Sequence, residues 1–236
     1  MKYEAIFNSS KEMKNFYGCF KWKMRGRSNE RSTIEVETIL FAEVILHHLE
    51  NPFWNYPVTV RYQDRPDFVI KSKKGYIGVE ITEQWSKNYG QALSMLENSN
   101  GLLEPSDFPF LKVEKKIKGK DIAGLVSKQE LTGSPSIGYK EEINWVRRTI
   151  RTIKQKNEKY TNYPESKDFD KNFLVIFDVR PESPNFKNVK KEMQSPLYSL
   201  AETLSFTKVM CLDSHFVTID LKNQKFECEC PGNDPL

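Results

Sequence analysis

Residues 76–82, YIGVEIT, alternate in the manner of a half-buried strand. Ile77, Val79 and Ile81 point one way, and Tyr76, Gly78, Glu80 and Thr82 the other. Residues 172–179, NFLVIFDV, are apolar almost without a break, which suits a central strand covered on both faces. Between these two segments, Ile143, Val146, Ile150, Ile153 and Tyr160 recur at helical spacing and predict a long helix over about 139–162. Upstream, apolar residues crowd most sides of 33–50. Ser32 with Glu35 gives that segment a capping-box start, and Asn51-Pro52 ends it, so a largely covered helix is expected there.

The remaining elements are read around these four. Residues 53–62 and 67–72 predict two strands before 76–82, with Pro57 placing the first at an edge or a bulge. Lys74-Gly75 supplies a hairpin turn. A helix over 86–97 leads into a turn-rich insertion at 97–137, and a helix at 188–204 precedes strands at 207–212, 216–221 and 225–230. Residues 1–31 fit either a short strand or a loosely held arm. The order predicts a mixed α/β fold in one domain, 1–236, with its core over 32–221: a meander of strands followed by a crossover.

Composition narrows the class. Of 236 residues, 38% are hydrophobic and 29% charged, which describes a globular chain with a real core and a charged surface. The net charge of +4 permits a nucleic-acid partner without requiring one. Cys19, Cys211, Cys228 and Cys230 show no CxxC spacing, and His47, His48 and His215 complete no zinc pattern, so free thiols in a reducing cytoplasm are expected. The N-terminus has no apolar core of a signal peptide, and no run reaches membrane-spanning length. A soluble, cytoplasmic protein with no membrane partner is the expectation.

The chemistry sits in RPDFVIKSKKGYIGVEITE, residues 65–83. A two-residue loop at Lys74-Gly75 pairs Lys73 with Tyr76, sets Asp67 opposite Thr82 and Val69 opposite Glu80, and puts Asp67, Glu80 and Thr82 on one face. Two carboxylates held this close repel unless a cation or a proton lies between them. A hard divalent ion, Mg²⁺ or Mn²⁺, is the natural partner, with the backbone carbonyl of Ile81 as a third ligand. Such an ion can generate hydroxide and stabilise a leaving alkoxide at a phosphodiester.

Pro66-Asp67, a hairpin turn, then Glu80-Ile81-Thr82 resembles the PD-(D/E)xK motif of the restriction-endonuclease-like nucleases. The likeness covers roughly residues 32–180 and implies that family's αβββαβ core, a mixed central sheet flanked by helices. It also implies a metal-dependent phosphodiesterase, with DNA the expected substrate and RNA the alternative. Restriction or another defence role fits the family, as does a homodimer for cutting both strands. The motif lysine is replaced by Thr82, whose hydroxyl can hold a water but brings no positive charge. Relatives of this fold sometimes carry the lysine on the following helix, where Lys154 and Lys156 flank the apolar stripe. An acidic residue from the first helix is also common in the family. Glu43 is the candidate, with Glu37 in reserve. A protein that kept the fold and lost catalysis, binding nucleic acid or acting as a scaffold, is the rival reading.

Three basic stretches could serve a nucleic acid, one of them KVEKKIKGK at 112–120, which could contact phosphates. Residues 16–27 interleave Phe16, Tyr17, Phe20 and Trp22 with Lys21, Lys23, Arg25 and Arg27, a pattern able to track a backbone and stack bases. Arg147, Arg148 and Arg151 offer a basic edge on the long helix. GSPSIGYK at 133–140 mimics a phosphate-binding loop, but Tyr139 fills the lysine slot and no strand leads into it.

Overall fold

In a computed structural model of the chain, the alternating segment is the strand β4 (Gly75–Glu83), one of eight strands in a single mixed sheet. The structure describes residues 4–19, 33–47, 55–84, 118, 120–122, 140–163, 168–178, 185–212, 216–223 and 225–229. The other strands are β1 (Glu4–Phe7), β2 (Val58–Tyr62), β3 (Phe68–Ser72), β5 (Lys171–Phe177), β6 (Lys208–Leu212), β7 (Phe216–Asp220) and β8 (Lys225–Glu229). They lie side by side in sequence order. β1 to β4 are antiparallel neighbours, β4, β5 and β6 are parallel, and β6 to β8 are antiparallel again. The helices are α1 (Ser10–Tyr17), α2 (Thr33–His47), α3 (Lys140–Tyr160) and α4 (Phe186–Ala201). Parallel neighbours need a long crossover, which α3 supplies between β4 and β5 and α4 between β5 and β6.

The sheet has a core on each face. On one, α1 and α2 pack against Val58, Val60, Phe68, Ile70, Ile77, Val79 and Ile81, with the rings of Phe41 and Phe68 stacked 4.0 Å apart. On the other, Trp145, Val146, Ile153 and Tyr160 of α3 and Val189, Met193 and Leu197 of α4 pack against Leu174, Ile176, Val209 and Cys211. Burial on both faces explains why β5 is apolar from Phe173 to Phe177, and burial of Val36, Ile39, Leu40, Phe41, Ala42, Val44 and Ile45 explains why α2 is apolar on most sides. Among the described residues no helix is long and apolar enough to cross a membrane.

Three expectations need correction. The core begins well before residue 32: β1 pairs with β2, and Phe7, Met13 and Tyr17 are buried, with Tyr17 meeting Phe41 edge-on at 5.5 Å. A local signal was present, since Ser9 accepts from the Glu12 amide at 3.2 Å while Glu12 accepts from the Asn8 amide at 2.8 Å. Pro57 lies outside β2, which starts at Val58, so it neither bulges nor edges a strand. The β3–β4 turn is Lys73-Lys74, with Gly75 already in β4 at φ 124°, a conformation glycine adopts at little cost. The helix expected at 86–97, nearly all of the insertion at 97–137 and most of the basic stretch at 16–27 lie outside the described residues.

Candidate active site

Ser72 pairs with Gly75 and Phe68 with Val79, so the hairpin register differs from the expected one by two residues. An even shift keeps every side chain on its own face. Continued one pair beyond Phe68–Val79, the ladder sets Asp67 opposite Glu80 itself, not Thr82. Asp67 is fixed there by its Oδ2, which accepts from the Ile81 backbone N–H at 2.6 Å. The Gln63 amide donates to the Asp67 carbonyl at 2.9 Å and closes the loop before it.

Glu80 is 4% exposed and needs a partner, because a buried lone carboxylate is costly. Lys156 provides it: its Nζ lies 2.7 Å from Glu80 Oε1 and 3.4 Å from the Ile81 carbonyl oxygen. Spacing along α3 and β4 accounts for this meeting. The Tyr160 hydroxyl packs over Gly78, where an added Cβ would lie 2.7 Å from it, and it donates to Asn172 Oδ1 at 2.7 Å. Four residues back along a helix is about 6 Å, and two residues along a strand is about 6.7 Å. With Tyr160 seated on Gly78, Lys156 therefore falls over Glu80. Further along the same face, Gln84 Nε2 lies 3.3 Å from both Thr149 Oγ1 and Asp178 Oδ2.

The site remains short of positive charge. Burial pushes the Asp67 carboxyl up to about 8, the charges of Glu80 and Glu37 adding to it and the Ile81 amide and Lys156 opposing it. Glu37 of α2 accepts from the Tyr62 hydroxyl at 2.9 Å. It is thus the reserve acid Glu37, and not Glu43, whose charge is felt at Asp67; Glu43 is half-buried on α2. Beside the pair, the Arg65 guanidinium lies 5.5 Å from the centre of the Tyr163 ring. Burial first and then the Glu80 charge raise the Tyr163 hydroxyl above its ordinary value.

The structure separates the two candidate lysines. Lys156 is on the side of α3 that carries Trp145, Thr149, Ile153 and Tyr160, all buried, whereas Lys154 is exposed. Two residues apart on a helix are about half a turn apart. Arg147 and Arg151 share the exposed side with Lys154 and so face away from the carboxylates. Thr82 follows Glu80 by two on the same face and is half-buried. Lys21, Trp22, Lys23 and Arg25 lie outside the described residues. Arg65 and Tyr163 escaped the sequence reading. Arg65 stands two before Asp67 in the informative stretch, but nothing in the pattern links it to Tyr163, which lies just past the end of α3.

Among the described residues no three His, Cys, Asp or Glu side chains gather as a metal-holding group. The donors that do gather are the Asp67 and Glu80 carboxylates and the Ile81 carbonyl. Glu80 Oε2 is buried with no hydrogen-bond partner among the described residues. Two carboxylates and a carbonyl are hard oxygen donors of the kind Mg²⁺ takes, an ion that fills its other positions with water and substrate phosphate. The donor set therefore fits such a cation. No protein-family model, curated protein or solved structure matches the chain.

Proposed function

We propose that the chain is a metal-dependent nuclease of the PD-(D/E)xK type, in which Lys156 supplies from α3 the charge that Thr82 does not supply from β4. The observation that carries this reading is the meeting of Lys156 Nζ with Glu80 Oε1 at 2.7 Å, beside an Asp67 bonded to the next residue of the same strand. The order α2, β2, β3, β4, α3, β5 supports it, because it runs in the αβββαβ sequence of that core. The substrate is nucleic acid, DNA before RNA, and restriction or another defence role is the setting that the likeness suggests.

Asp67, Glu80 and the Ile81 carbonyl would hold Mg²⁺ or Mn²⁺. When bound, the ion would make a water acidic enough to lose a proton and attack phosphorus as hydroxide, and would supply positive charge for the leaving oxygen. Glu80 and Asp67 orient it, and the Ile81 amide holds Asp67 Oδ2 in place. Lys156 neutralises Glu80 and presents an ammonium group to the anionic charge that builds on the phosphate. Thr82 offers a hydroxyl to a water.

The test is cleavage of plasmid, single-stranded DNA and RNA with Mg²⁺ or Mn²⁺, comparing the native chain with Asp67→Ala, Glu80→Ala and Lys156→Ala. Metal-dependent cutting lost in all three supports the reading. The Lys156–Glu80 ion pair also favours a second one, a non-catalytic nuclease-fold protein whose lysine stands in permanently for the ion. That reading predicts nucleic-acid binding with no cutting and no effect of Mg²⁺ on stability.

A further inference from the structure

The face of the sheet that carries Asp67 and Glu80 continues down the β3–β4 hairpin and across β2 to β1. Lys71 pairs with Tyr76 two rows from the carboxylates, and the same row runs through Thr59 to Ile6. The row between runs from Gly78 through Val69 and Arg61 to Glu4. Cross-strand partners point to the same face, so these residues share the face of the carboxylates.

The Lys71–Tyr76 row is open and has an unusual surface, whereas the row between it and the carboxylates is covered, Val69 being 4% exposed and Gly78 lying under the Tyr160 hydroxyl. Ile6 is 62% exposed and Tyr76 40%, large apolar groups that folding leaves in water. Arg61 and Lys71 are exposed beside them, with Glu4 the acidic neighbour of Arg61. The Lys71 amine lies 5.5 Å from the centre of the Tyr76 ring, as the Arg65 guanidinium does from that of Tyr163 next to the carboxylates. Two cation–aromatic pairs thus share one sheet face with the carboxylate pair.

We propose that these exposed groups are where a single polynucleotide strand lies when its phosphodiester reaches Asp67 and Glu80, with Tyr76 the platform on which a base stacks and Lys71, Arg61 and Arg65 the phosphate contacts. The proposal rests on the nuclease reading and narrows its substrate to single strands or single-stranded ends. Only a single strand exposes the flat faces of its bases to a ring; a duplex presents base edges and backbone. Positive charge beside an exposed ring is the pairing that unspecific single-strand binders use.

The experiment is fluorescence anisotropy of the full chain with labelled single-stranded DNA and RNA and with the duplex of the same sequence, in chelator, alongside the cleavage assay in Mg²⁺ or Mn²⁺. The expected result is tighter binding of a single strand than of duplex, weakened roughly ten-fold by Tyr76→Ala and by Lys71→Ala and retained by Tyr76→Phe. Both sites are exposed, and thermal melts check that the variants fold. Equal or tighter binding of duplex, or variants that bind like the native chain, overturns the proposal, and does so even where cleavage is observed. Single-strand binding that depends on Tyr76 and Lys71 without any cleavage upholds the surface and removes the nuclease reading alone.

Discussion

Lys156 and Glu80 stand 76 residues apart in the chain, yet Nζ and Oε1 lie 2.7 Å apart, across a boundary between helix and strand. Their side chains are 23% and 5% exposed, so the pair is shielded from most of the water that would screen it. Taking away one partner of such a pair leaves a buried charge without compensation, which costs more than the pair itself contributes.

Lys156→Ala is therefore expected to lower stability by about 3 kcal/mol, read from urea denaturation. For the proposed nuclease it should also cost about 100-fold or more in kcat, the scale for losing one group that meets transition-state charge. Lys154→Ala, on the exposed side of α3, should change neither. Equal effects at the two positions would contradict the assignment.

The Asp67 carboxyl, pushed up to about 8 from an ordinary 3.8, sets the sign of a pH dependence. Below pH 4 the folded and unfolded chains both hold the proton. Between about 4 and 8 the unfolded chain has released it and the folded chain has not, so in chelator stability falls as pH rises through that window and levels off above it. Asp67→Asn, which keeps an oxygen for the Ile81 amide, should flatten the slope in urea melts taken across the window. In the proposed nuclease Mg²⁺ would displace the same proton, so it should raise the melting temperature more at pH 8 than at pH 6.

Glu37 and Glu43 can be told apart by their reach. Glu37→Gln keeps an acceptor for the Tyr62 hydroxyl but removes a charge that raises Asp67. The Asp67 pKa, followed by carboxyl carbon NMR, should fall below about 8 in Glu37→Gln and stay in place in Glu43→Gln.

Gly78→Ala tests the seating of α3. The new Cβ would meet the Tyr160 hydroxyl at 2.7 Å, Phe169 at 3.1 Å and Asn172 Oδ1 at 3.2 Å, so the helix must lift. A loss of about 1–3 kcal/mol is expected in chemical denaturation. Gly78→Ala combined with Tyr160→Phe should cost less than the sum of the single changes, because the atom in closest conflict is gone.

Much of this was legible in the chain because each signal was local. The alternation of Ile77, Val79 and Ile81 against Gly78 and Glu80 fixed the two faces of β4, and the face held although the turn proved to be Lys73-Lys74. Pairing depends on which two residues turn, and Lys73-Lys74-Gly75 offers two choices; the positive φ of Gly75 belongs to the strand end, not the turn centre. The stripe of α3 brought Lys154 and Lys156 forward together, and only the register of Tyr160 on Gly78, a tertiary fact, separates them. Residues 1–31 leave a short strand and a loosely held arm open, and α1 has no place in either, because Phe16 and Tyr17 stand among basic neighbours that hide the buried stripe of Met13 and Tyr17. Arg65 meets Tyr163 across almost a hundred residues, and no spacing rule reaches that far.

The division of the site between hairpin and helix has a thermal consequence. Asp67, Glu80 and the Ile81 carbonyl belong to one hairpin, held by its own ladder, while Lys156 arrives on α3 through packing around Tyr160 and Gly78. Warmth that loosens that packing would withdraw the lysine before the hairpin melts. For the proposed nuclease, a chain heated to that point would keep its grip on a cation and fall silent, its working ceiling set by a helix docking on a sheet and not by the unfolding of the whole.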